Sequence, residues 1–427
     1  MCLRVFSRAL IALTLISLVA AASPALAQTP LGAADSFLSA LDDGQGSVSL
    51  NYRVEYVDDD GFRPNVLPLE KFEKEAWAST LRTAIRYQTM QYWNLDLFLE
   101  AANVTNVGYD AYNSTQNGHT DYPVVADPSL SMMNQAFLRY SHEYGAAKLG
   151  RQELVYDNSR FVGNVGWRQN HQNFDAFRAD VFATDRINVR YTYVDRVHTV
   201  VGSQADLMGN LVNLNIDLSK FGAFGAYAYM LDFDDAPALS TGTFGGFLNG
   251  KYAFNEGPWG IKWRAEYAMQ QDMADNANTV DAKYMHFMGG FGQAELAVSA
   301  GFEQLSGSVE DGQFTTAFAT GHKFNGWADK FLKTPLYGLN DLYVGLGGMW
   351  DSFGYMATWH NFEAESSNLA GATLAYGTEI DAQVSYKTSW KQVFAVKAAL
   401  YTADDEAPVG ALATDVTKVW FWTSFNF

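Results

Sequence analysis

The run "LGRQELVYDNSRFVGNVGWRQNHQNFDAFR" (149–178) carries Arg151, Arg160, Arg168 and Arg178, with Asp157 and Asp175 set among them. A guanidinium is a planar, permanently charged fork that matches a carboxylate, and a neighbouring aspartate fixes the plane of that fork. Such a pattern predicts recognition of an anionic or hydroxyl-rich solute rather than bond making. Neither H-E-x-x-H nor G-x-S-x-G occurs, and the seven histidines lie mostly where loops, turns or strand ends are expected. The acidic runs lack the ligand spacing of a calcium loop. The sequence therefore predicts no enzyme, no metal site and no cofactor.

The elements that must hold these residues alternate with period two. In "SVSLNYRVEYV" (47–57), Val48, Leu50, Tyr52, Val54 and Tyr56 share one face, and Ser49, Asn51, Arg53 and Glu55 the other. "AWASTLRTAIRYQ" (76–88), "RINVRYTYV" (186–194) and "WGIKWRAEYAM" (259–269) repeat the pattern, apolar on one side and charged on the other. A strand between lipid and water requires this arrangement. Short turns, near 90–92 and at 142–145, 184–185, 219–222, 255–258, 289–292, 351–354 and 387–391, alternate with longer polar loops. The reading is an all-β fold: a transmembrane antiparallel β-barrel of about 18 strands in the cell outer membrane, with both chain ends on the periplasmic side.

Residues 1–27 read as a signal peptide, with Arg4 and Arg8 before the apolar "ALIALTLISLVAAA" and the small residues "ALA" (25–27) after it. Residues 28–46 read as a periplasmic segment with a short helix or tether in "SFLSALDDG", and 47–427 as the barrel. Removing the leader takes two of the 29 basic residues and leaves 27 against 47 acids, a net charge of −20. That charge excludes a nucleic-acid partner. Cys2, the single cysteine, falls within the leader.

Within the strands, Arg53, Arg82, Arg86, Arg139, Arg178, Arg186, Arg190, Lys262 and Arg264 share the inward parity and predict one arginine-rich wall along a substrate path. Asp96 and Glu100 are expected between them, and Glu295, Glu379 and Asp381 on the later wall. The alternative is that these charges pair with one another and only fill a watery lumen. Acidic outer loops predict contact with lipopolysaccharide or outer-membrane lipid through divalent cations. The terminal strand "KVWFWTSFNF", ending in Phe427, resembles the signal read by the barrel-assembly machinery.

The 149–178 run resembles the signature of the alginate export family of outer-membrane porins. So do "ASTLRTAIRYQT" (78–89), "DPSLSMMNQAFLRY" (127–140), "GHKFNGWADKFL" (321–332) and "TPLYGLNDLYVGLG" (334–347). The resemblance implies an eighteen-stranded barrel passing alginate or a similar uronate, with Arg151, Asp157, Arg160, Trp167, Arg168 and Asp175 as motif positions. On this reading the loop 153–173 folds partly into the barrel, Arg160 and Arg168 stand at a constriction, and Asp157 and Asp175 hold their guanidinium groups. Arg151 keeps the outward parity unless a bulge intervenes. The expected function is passive passage of anionic or hydroxyl-rich saccharides. A general diffusion porin and a structural or adhesive barrel are the alternatives.

Overall fold

The computed structural model describes residues 30–61, 71, 72, 74–254, 257–367, 371–408 and 410–427. The expected leader, 1–27, lies outside the described residues. Residues Phe37–Asp42 form a short helix, α1, capped by Ser36, whose side chain accepts from the Ser39 amide. The strands that follow are β1 (Gln45–Asp59), β2 (Ala76–Gln88), β3 (Leu95–Ala111), β4 (Ser131–His142), β5 (Gly145–Gln152) and β6 (Asn173–Thr184). Next come β7 (Ile187–His198), β8 (Gln204–Asp217), β9 (Ala223–Phe233), β10 (Thr241–Ala253), β11 (Gly260–Asp272), β12 (Asp281–Gly292) and β13 (Ala297–Leu305). A small hairpin, β14 (Gly307–Ser308) with β15 (Gly312–Gln313), lies in the long loop after them. The chain finishes with β16 (Leu339–Trp350), β17 (Phe353–Glu363), β18 (Ala375–Lys387), β19 (Val393–Ala403) and β20 (Val416–Asn426).

All but the small hairpin join one 18-stranded antiparallel sheet, and β1 pairs with β20 from Ser49↔Asn426 to Asp59↔Val416. Closure leaves no strand edge facing lipid, which is the condition for crossing a membrane with strands. Burial is inverted relative to a soluble protein. Arg53 and Glu55 are buried inside, whereas Ile85 is 59% and Val384 54% exposed on the outer face. Trp93, Tyr144, Trp350 and Trp390 stand exposed at short turns, as an aromatic girdle at the membrane edge does.

Two sequence expectations need correction here. "GGFG" does not turn: β12 continues to Gly292, and the turn is 293–296. Gly290 pairs with Lys262 across the ladder, and a side chain there would collide with that lysine. Glu295 consequently sits exposed in the turn and not on the lumen wall. Arg186 likewise lies in the turn between β6 and β7, exposed at the short-turn rim.

The turn from β8 to β9 closes on Gly222, whose φ of +100° suits glycine, with the Leu218 amide donating to its carbonyl. A Cβ at this position would strike the Asn249 carbonyl. Gly222→Ala is therefore expected to destabilise the barrel by about 1–3 kcal/mol, read as a lower thermal midpoint in detergent.

The interior is not empty. The loop 153–172 and the loop 314–338 both fold inward, and a backbone bridge joins them at Val162 and Phe318. Leu154, Tyr156, Trp167, Phe314, Trp327 and Phe331 are buried in one cluster with inward side chains of the wall. Phe161 packs against Tyr227 at 5.3 Å, Tyr284 at 5.2 Å and Phe314 at 5.8 Å. Apolar burial of this extent draws the loops off the outer surface and holds them in the lumen.

Candidate functional site

The inward loops carry four of the six motif residues, and each is met by the wall opposite its own strand. The Arg160 Nε lies 2.9 Å from Glu303 Oε1, and its Nη2 donates to Asn325 Oδ1 at 2.9 Å. The group stacks on Phe324 at 4.7 Å. Arg168 reaches Glu55 at 3.3 Å, Asp329 at 3.2 Å and Asp127 at 3.8 Å. Burial opposes its charge, but these three carboxylates hold the guanidinium protonated above its ordinary range. Asp157 accepts from both terminal nitrogens of Arg264.

Trp167 stacks on His322 with ring centroids 4.5 Å apart and meets the edges of Trp420 and Trp422. Its faces also receive two cations, Arg53 at 4.2 Å and Lys397 at 4.0 Å. Burial drives the His322 imidazole well below its usual range despite Asp329, so the ring is neutral. Nδ1 then donates to Asp329 Oδ1 at 2.7 Å, and Nε2 accepts from Lys397 Nζ at 2.7 Å. Asp329 also accepts from Lys418 at 2.9 Å. Loop 314–338 gains two further anchors, since the Trp327 and Ala328 amides donate to Asp381 and Glu379.

At the base of loop 153–172, Glu153 receives Asn134 and Asn164 at 2.7 Å each and contacts His171 at 2.7 Å. Burial alone would raise this carboxyl, but His171 and the two amides bring it down to about 2. A carboxylate depressed in the folded state contributes stability above its ordinary value of 4.5 and loses it as pH falls toward about 2. Glu153→Gln should lower the thermal midpoint at pH 7. That difference should vanish as the pH of the melt is taken from 4.5 to about 2.

The motif pairing expected from the sequence is overturned. Asp157 and Asp175 hold neither Arg160 nor Arg168, because the loop crosses the lumen and finds its partners on strands far away in the chain. Arg151 and Asp175 pair with each other at 2.8 Å on the outer surface, where both keep the outward parity. Arg160 and Arg168 are buried at 3% and 8% exposure, so they brace the loops and do not face an open constriction.

The expected substrate path divides in two. Arg53, Arg82, Arg139 and Arg264 are buried and paired, Arg139 bidentately with Asp96 at 2.9 and 2.8 Å. Arg86, Arg178 and Arg190 reach solvent at 15%, 18% and 19% exposure, while Glu100 and Asp180, which hold them, sit behind at 1% and 8%. Lys262 stands directly opposite Lys251 in the ladder, and neither has an ion-pair partner among the described residues. Sequence reading missed Lys148, which alternates with outward Leu149 and pairs across to Arg178. It also missed Glu303, Asn325 and Asp329; the last two lie in the quoted "GHKFNGWADKFL", where nothing local signals a role.

Residues 49–243 match the family model described as alginate export. The match runs from β1 to the start of β10, a little under half of the chain, and makes that part similar to the alginate export family. No curated protein sequence matches the chain. Among solved structures, the barrel is similar to OpdL of Pseudomonas aeruginosa, with TM-score 0.66, 13% identity, 91% of this chain and 99% of that one covered. It is similar to OpdK of Pseudomonas aeruginosa, solved with vanillate, with TM-score 0.67, 10% identity and coverage of 90% and 98%. OccAB4 of Acinetobacter baumannii gives TM-score 0.63, 10% identity and coverage of 90% and 98%. At such identities the likeness shows the fold. With the match over residues 49–243 and the apolar exterior, it supports an outer-membrane channel.

Proposed function

We propose that the channel passes small carboxylated, hydroxyl-rich solutes of the uronate type by facilitated diffusion. One observation carries this reading: in the lumen wall the carboxylates are buried and the cations stand in front of them. A solute moving past β2 to β7 meets Arg86, Lys148, Arg178 and Arg190 before it meets Glu100 or Asp180. Lys251 and Lys262 add a second cationic step on β10 and β11. Like charges directly opposite each other repel, so an anion placed between them relieves a cost already built into the wall. The OpdK structure contains vanillate, a carboxylate, which supports the same charge class.

Arg160 and Arg168 act indirectly on this reading, by holding the two loops that narrow the lumen. The deciding experiment is single-channel current in a planar bilayer, with reversal potential in a salt gradient and titration by uronate oligomers. Anion preference with block by uronates is the expected result. Cation preference without block would remove the carboxylate assignment and leave a general diffusion pore.

A further inference from the structure

Arg151 and Asp175, two of the motif residues, are not used by the lumen at all. They belong to a row of alternating charge on the outer surface, Arg151↔Asp175↔Arg196↔Asp206, which runs across β5, β6, β7 and β8. A β-bulge builds the last part of this row. Simple alternation after inward Val194 would point Arg196 into the lumen, but the ladder steps from Val194 to Arg196 against Ala176 and Asp175. The extra residue, Asp195, re-aims the Arg196 side chain to the outside.

The row lies at the upper limit of the apolar belt. One step nearer the short turns, the outward residues are Leu149, Phe177 and Tyr193, with Leu149 62% exposed. Asp175 takes Arg151 Nε and Nη2 at 2.8 and 3.1 Å and also contacts His198 at 2.8 Å. Asp206 takes Arg196 Nε. Each aspartate therefore fixes one edge of a guanidinium and leaves the other turned outward. Arg151 Nη1 makes only a 3.4 Å contact with the Met133 carbonyl, and the Arg196 side chain is 34% exposed.

We propose that this row seats the phosphorylated glycolipid of the outer leaflet, with Arg151 and Arg196 donating from their outward edges to a headgroup phosphate. Oriented guanidinium edges at the level where hydrocarbon gives way to headgroups match the planar, multiple-acceptor geometry of phosphate. Acyl chains then continue down over Leu149 and Phe177. This site is independent of the solute carried by the lumen.

The test uses the full barrel in detergent, titrated with lipid A and with enzymatically dephosphorylated lipid A, and bound lipid counted by native mass spectrometry. The intact protein should prefer the phosphorylated form by roughly tenfold or more. Arg151→Gln with Arg196→Gln should abolish that preference while conductance and heat-modifiable mobility stay unchanged. Should the double variant fail to fold, Arg196→Gln alone serves, because Asp206 at 43% exposure can be hydrated in its place. Equal binding of the two lipids by the intact protein, or an undiminished preference in a folded variant, overturns the proposal and leaves the row as a brace between strands.

Discussion

Arg168→Ala is expected to release both inward loops and raise the single-channel conductance severalfold. This one guanidinium is shared by Glu55, Asp127 and Asp329, whose side chains are 1%, 1% and 7% exposed. Removing the cation from a buried cluster strands its carboxylates, at a cost of about 3–5 kcal/mol. The barrel ladder does not depend on Arg168, so the strain is relieved where the structure is least bound, by the loops leaving the lumen. The variant should keep the heat-modifiable mobility of a closed barrel, show a lower-temperature melting step, and conduct more current. Arg168→Lys should fall between, since a single ammonium cannot span three carboxylates. Unaltered conductance together with unaltered melting would show that the loops are held by apolar packing alone.

The second large effect concerns selectivity. Arg178 and Arg190 share Asp180 at 2.7 and 2.6 Å and stack over Tyr156 at 5.9 and 4.9 Å. Together the three make a patch of net charge +1 that presents its positive edge to solvent. Arg178→Gln with Arg190→Gln turns it into a patch of −1 at the same place. Reversal potential in a salt gradient should move toward cation preference, and uronate block should weaken by about tenfold or more, since a charge-assisted contact to a carboxylate is lost. The shift should shrink at high ionic strength, where the Debye length falls to about 3 Å. A variant that keeps its selectivity would place the filter elsewhere, with Lys251 and Lys262 next to be changed.

Period two made the barrel readable, because lipid on one face and water on the other impose it on every strand. Arg53, Glu55, Arg82 and Glu100 were all placed inward from alternation alone. Glu295 and Arg186 were misplaced for a local reason: glycines that look like a turn can continue a strand, and a two-residue turn has no parity. The pairings were not legible. Arg160 meets Glu303 and Arg168 meets Asp329 across the width of the barrel, and nothing in the sequence near either residue announces a partner so distant. Arg196 was hidden for a different reason, since a single bulge reverses the facing that alternation assigns.

The place where Trp167 rests has a bearing on how the molecule is made. Its neighbours Arg53, Lys397, Trp420 and Trp422 come from β1, β19 and β20, the strands on either side of the closing seam. Asp329 joins Lys418 of β20 to Arg168, which in turn reaches Glu55 of β1. That seat does not exist until the final eleven-residue strand has been delivered to the first. Narrowing of the lumen is thus a late event in biogenesis, completed only when the chain has met its own beginning. Once made, it works as a clasp: the seam cannot part sideways into the bilayer without first lifting the tryptophan that bridges it.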